Sequence, residues 1–120
     1  MKYILLIYQN PAAWEALSEE ERAGVLGEVD EIWNELTESG ELVGGEALAH
    51  PSTTRTVRVR GGVPAVTDGP FVEAKEQLAG YVLVDCEREE RAIEIAARWP
   101  DARYSAMEVR AIMDAGGTEM

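Results

Sequence analysis

A chain of 120 residues, 46% hydrophobic and 28% charged, has the size and composition of one soluble domain with a genuine core. Its 23 acidic residues against 11 basic ones leave a formal charge of -12, which repels phosphate backbones and anionic lipid. Unassisted nucleic-acid binding and membrane-surface binding are set aside on that ground; a cationic ligand or a basic partner fits, and so does a plain solvated acidic face.

KYILLIY (2–8) opens the chain as a strand that is apolar on both alternating sets of side chains. Tyr3, Leu5 and Ile7 point one way, and Ile4, Leu6 and Tyr8 the other, the pattern of a strand covered on both faces. The run is too short for a signal-peptide core or a membrane span, which predicts a cytoplasmic protein. Asn10-Pro11 breaks it. Ser18 and Glu21 then form a capping box. Val25, Leu26, Val29, Ile32, Trp33 and Leu36 follow at spacings of three and four, an amphipathic helix whose acidic first turn suits its dipole. Gly40 is its expected C-cap.

Residues 41–48 read as a short strand loosened by Gly44-Gly45, and His50-Pro51 as a turn. Residues 53–60 alternate cleanly, with Val57 and Val59 on one face and Thr56, Arg58 and Arg60 on the other. Gly61-Gly62 turns the chain and 64–67 is extended. Residues 77–86 form a further strand, with Leu78, Val82 and Val84 sharing a face opposite Tyr81 and Leu83. A second helix over 87–99 carries Ala92, Ile93, Ala96 and Trp99 inward, with Asp85 as its substitute N-cap. Pro100 ends it, and 107–112 is the last strand. The domain is expected over 1–113, with a frayed tail over 114–120. The lone cysteine, Cys86, rules out an internal disulfide framework and reads as a buried structural thiol.

The element order, strand, helix, two or three strands, helix, strand, predicts an α+β chain. With right-handed crossovers it gives a ferredoxin-like βαββαβ antiparallel sheet with both helices on one face. Two helices cover one face only, whereas the first strand is apolar on both. A homodimer with the two sheets face to face is the simplest cover.

The stretch TDGPFVEAKEQLAGY (67–81) resembles the YCII-related family and within it the DGPF subfamily, through Asp68-Gly69-Pro70-Phe71. Residues 36–60 look like that subfamily's middle region and 73–100 like its long second signature. MEVRAI (107–112) is similar to its closing strand, usually Val-Glu-Val-Arg-Pro. The resemblance implies a ferredoxin-like fold and a dimeric α/β barrel. Members of the subfamily carry labels such as "uncharacterised" or "transcription initiation protein", the latter by association with alternative sigma factors. Sigma-factor association is thus one implied partnership, and it requires a basic partner surface. Better-known relatives hold a His-Asp pair in a cleft; here the first helix has no histidine, and the only one, His50, is in a loop.

Asp68 is the leading candidate at a site, as a general base or cation ligand held by a rigid Asp-Gly-Pro turn; the plain alternative is a turn whose Asp bonds its own backbone. His50 is its candidate acid–base partner, because its charge changes near neutral pH. Arg58, Phe71, Glu73 and Lys75 are candidate ligand-binding residues, with Phe71 shielding Asp68 and Lys75 supplying a counter-charge. A solvated edge with cross-strand pairs to Arg58 or Arg60 is the alternative for the charges. Tyr8 and Tyr81 are candidate pocket residues, with core or dimer packing as the alternative for Tyr81, Trp33 and Trp99. Gly44-Gly45 and Gly61-Gly62 read as turns or bulges, and no metal-ligand spacing, phosphate loop or cofactor motif stands out. Two functions follow: a small dimeric ligand-binding or regulatory domain with a pocket near Asp68, or an acid–base enzyme acting on a small organic substrate.

Overall fold

The computed structural model describes residues 1–114, 116 and 117, so the remainder of the expected tail, 115 and 118–120, lies outside the described residues. Four strands, β1 (Lys2–Gln9), β2 (Leu42–Ala47), β5 (Gln77–Asp85) and β6 (Ala106–Ala111), form one antiparallel sheet in the order β2-β5-β1-β6. This α+β arrangement is compatible with the ferredoxin-like reading. β3 (Arg55–Arg60) and β4 (Val63–Asp68) make a separate two-stranded sheet inserted between β2 and β5.

Helices α2 (Glu19–Ser39) and α3 (Glu89–Arg98) cover one face of the larger sheet. Alternation decides which side chains they bury. Tyr3, Leu5 and Ile7 of β1 and Val82 and Val84 of β5 meet Ile32, Leu36, Ile95 and Trp99 in the core. Ile4, Leu6 and Tyr8 lie on the opposite face, only half-buried, and register places Tyr81 beside Leu6 and Leu83 beside Ile4 there. The two-faced first strand is therefore real, and one of its faces has no helix above it.

The caps of α2 follow the sequence. Ser18 accepts from the Glu21 amide at 3.1 Å, Glu21 accepts from the Ser18 amide at 3.0 Å, and Gly40 closes the helix with φ 80°. Several local expectations are corrected. Asn10-Pro11 does not merely break the chain: Asn10 caps a short helix, α1 (Pro11–Glu15), with Pro11 at its first position. In α3 the inward residue is Ile95, while Ile93 is exposed. Arg88, not Asp85, precedes α3 and makes no side-chain cap; Asp85 instead pairs with the terminal amine of Met1 at 3.2 Å. A bulge after Ile7 pairs Tyr8 with Leu78 and turns Leu78 away from the face of Val82 and Val84. On α2, Leu26 is exposed at the core's edge. Cys86 is buried, as expected, and burial raises its thiol pKa.

Where β2 meets β5 the backbones approach closely. A Cβ on Gly45 would stand 2.5 Å from the Tyr81 carbonyl oxygen, so only glycine fits.

Candidate functional site

The C-terminal end of β1, the N-terminal end of β5 and the segment after β2 converge at one end of the sheet. Between them and α1 lies a cavity of about 260 Å³. Its walls include Gln9, Trp14, Glu15, Leu48, His50 and Gln77. Asn10 and Pro11 start α1 so that Trp14 and Glu15 reach this space. Pro51 starts a 3-10 turn (Pro51–Thr53) that carries His50 at its cap.

His50 is held from two sides. Its Nδ1 accepts from the Ser52 amide at 3.1 Å, with the Ser52 hydroxyl at 2.9 Å. Its Nε2 lies 3.4 Å from the Glu15 carboxylate. A neutral ring that accepts at Nδ1 carries its proton on Nε2, aimed at Glu15. Both nitrogens are thus engaged, and the free acceptor capacity of the pair sits on Glu15.

Asp68 is not brought to His50. It ends β4 opposite Arg55, whose Nε is 3.2 Å away, and its side chain is 88% exposed. Its carboxylate bonds neither its own turn nor a pocket wall, but the neighbouring strand. The turn itself is built by Gly69, at φ 94°. The Gly69 amide donates to the Thr54 carbonyl at 2.8 Å, and the Thr56 hydroxyl donates to the Gly69 carbonyl at 2.7 Å. Gly69 and Pro70 border a shallow depression with Pro51, Ser52, Glu73 and Gln77, next to the His50 cavity.

Phe71 does not shield Asp68. It is exposed, and Arg58 lies over its ring at 5.4 Å. Glu73 and Lys75 belong to an exposed loop rather than a strand, so no cross-strand pairing with Arg58 or Arg60 forms. That loop is pinned by Gln77, whose side-chain amide donates to the Ala74 carbonyl at 2.9 Å and the Val72 carbonyl at 3.3 Å. Tyr8 and Tyr81 lie on the open sheet face, where Glu108 accepts from the Tyr8 hydroxyl and raises its pKa. The structure therefore leaves His50 at the cavity, gathers Glu15, Gln9, Gln77 and Trp14 around it, and disperses the other candidates. Asn10-Pro11, a cap followed by an N1 proline, was the signal that could have placed Glu15.

Among the described residues no cluster of His, Cys, Asp or Glu could hold a metal ion, and no helix is long and apolar enough to cross a membrane.

Residues 1–115 match the YCII-related domain. The chain belongs to that family. An uncharacterised protein of Rhizobium meliloti (strain 1021) is 32% identical to this YCII-related protein over 105 residues, 88% of this chain and 85% of the relative. Among solved structures it resembles 5-chloro-2-hydroxyhydroquinone dehydrochlorinase (TftG) from Burkholderia phenoliruptrix AC1100, in complex with 2,5-dihydroxybenzoquinone. The TM-score is 0.51 with 10% identity, covering 99% of this chain and 100% of that one. At that identity the likeness is one of fold.

Proposed function

We propose that this YCII-related protein, of the DGPF subfamily, is a small dimeric cytoplasmic domain that binds a small organic molecule in the cavity beside His50. The observation that carries this reading is the engaged His50–Glu15 pair on the wall of an open cavity with Trp14, Gln9 and Gln77. Apolar wall and convergent polar groups are the combination that ligand sites use. The pocket is thereby moved from the Asp68 carboxylate to the other side of Pro51. TftG acts on a chlorinated hydroxyhydroquinone, so hydroxylated single rings are the first compounds to screen.

The screen is by thermal shift and calorimetry on wild type, Glu15→Gln and His50→Ala. A compound that binds wild type should lose at least ten-fold in affinity in both variants. Undiminished affinity in both, with folding intact, sinks the assignment.

A second reading is an acid–base enzyme, supported by the Glu15 acceptor held by a histidine N–H. In it Glu15, rather than Asp68, takes the proton. Its signature is exchange of an acidic C–H of the bound compound in D2O, abolished by Glu15→Gln; a binder shows none.

A further inference from the structure

A second cavity, of about 250 Å³, lies between α2 and the sheet; it shares Gln9 with the first, but His50, Glu15 and Trp14 do not line it. Trp33 and Trp99, with Ile7, Leu26 and Val29, give it apolar walls. Gln9, Glu46, Tyr81 and Asp101 are its polar residues; Asp101, which follows Trp99-Pro100, is the buried one, only 6% exposed, whereas the Glu46 carboxylate is exposed. Among the described residues the one side chain that donates to it is Gln9, through Nε2 to Oδ1 at 3.0 Å. Among the described residues no cation pairs with it, and it caps no helix: α4 (Asp101–Tyr104) has no side-chain cap bond. Burial raises its pKa accordingly.

An unsatisfied polar group stands nearby. The Ser105 hydroxyl is buried without a partner, and it borders a void of about 30 Å³ that Asp101 and Gln9 also line. That space suits one water molecule. An unpaired buried carboxyl is expensive to retain in a fold unless something answers it. Asp101 and Gln9 line both that void and the aromatic-walled cavity, inside a chain of charge -12. That field attracts cations and repels anions. The volume is below the roughly 300–1,000 Å³ of drug-sized sites, which limits the ligand to about one ring.

We propose that this cavity is a binding site for a small aromatic cation, an arylamine-type or amidine-type ring held against Trp33 and Trp99 with its charged nitrogen at the Asp101 carboxylate. A cation there supplies the counter-charge that the chain itself does not. Trp14, on the other cavity, can be removed from the fluorescence signal, which makes the site separately observable.

The test uses the full chain carrying Trp14→Phe, so that Trp33 and Trp99 report. Benzamidine, neutral benzyl alcohol and anionic benzoate are titrated by calorimetry and tryptophan fluorescence. Benzamidine should bind at millimolar concentration or below and change the emission, at least ten-fold more tightly than benzyl alcohol, with benzoate silent. Asp101→Asn should weaken benzamidine at least ten-fold, and Leu26→Phe, which fills the cavity's edge without touching the acid, should weaken it as well. The proposal is overturned if benzamidine does not bind. It is equally overturned if benzoate binds as well as benzamidine, or if neither substitution lowers the affinity. Should Asp101→Asn fail to fold, the Leu26→Phe result and the benzamidine-to-benzoate ratio decide. His50→Ala should leave benzamidine binding unchanged; a loss there would assign the cation to the other cavity and also overturn this site.

Discussion

Glu41 and Asp101 are both carboxylates near the core edge, and their surroundings push them in opposite directions. Glu41 receives Arg91 in a two-pronged pair, Nε at 2.8 Å and a terminal nitrogen at 2.9 Å, which ties the start of β2 to α3. The Arg91 hydrogen bonds hold the Glu41 carboxyl below the ordinary glutamate range. A folded-state pKa below the unfolded one contributes stability above the unfolded pKa and loses it as pH falls through the folded value. Glu41→Gln should therefore lower stability by about 1–2 kcal/mol at neutral pH. Denaturant titrations of the two proteins should converge as the pH falls through the lowered Glu41 value; a constant gap would contradict the assignment. Asp101 is the mirror case. Burial raises its pKa, so its favourable contribution is complete below the unfolded aspartate range and lost as pH rises through the folded value. Asp101→Asn keeps the bond from Gln9 and removes the charge. At neutral pH it should raise stability by about 1 kcal/mol, with a gain in Tm of about 4 °C or more for a domain of this size. Thermal scans showing a lower Tm at neutral pH would contradict this.

Elements differ in how far their local sequence decides them. α2 was readable from end to end, because Ser18, Glu21, the three-and-four spacing and Gly40 all act within a few residues. β1 was readable on both faces for the same reason. What escaped depends on partners remote in the chain. Gln9 and Asp101 are 92 positions apart, and nothing near either announces the other. His50 meets Glu15 only because Asn10 and Pro11 redirect the chain into α1. Asp68 meets Arg55 through the β3–β4 register, which the turn residues alone do not state. Ile93 and Ile95 could each have faced the core at helical spacing; the sheet selects Ile95. At the β2–β5 pair the two glycines, alike in sequence, are unlike in space. A Cβ on Gly44 meets nothing within 4 Å, while one on Gly45 collides with backbone. Gly44→Ala should be tolerated within about 1 kcal/mol, whereas Gly45→Ala should cost 3 kcal/mol or more, of the order seen for the worst core substitutions. Equal effects of the two in chemical denaturation would remove the steric explanation.

The whole molecule is wider than its length requires. Its radius of gyration is 16.4 Å, against about 14 Å for a compact domain of this size. The β3–β4 hairpin accounts for the excess: it stands off the body with Val57, Val59, Pro64 and Val66 on one face, and the three valines are each more than 60% exposed. A two-stranded sheet alone in water is marginal, so such a face calls for a cover. The hairpin carries three arginines against one aspartate, in a chain that is otherwise strongly acidic. A second copy offers both an acidic surface and the open sheet face of Ile4, Leu6 and Leu83. The expected homodimer should therefore appear in sedimentation at micromolar concentration. Replacing Val57, Val59 and Val66 by serine should shift it toward monomer, while Leu6→Lys should do so from the sheet side. A wild-type monomer at that concentration would sink the proposed dimer.

The hairpin's place in the chain has a kinetic consequence. β2 and β5 are immediate neighbours, with Ala47 opposite Gly80, yet the whole projecting arm lies between them. Until it folds, that segment is a long loop whose closure must precede any pairing of the two strands. Exchanging it for a tight turn shortens the loop about eight-fold, three halvings worth roughly 1.8 kcal/mol of closure entropy. If the strands meet in the folding transition state, such a shortened protein should refold on the order of twenty times faster than its parent, at the price of whatever the arm embraces.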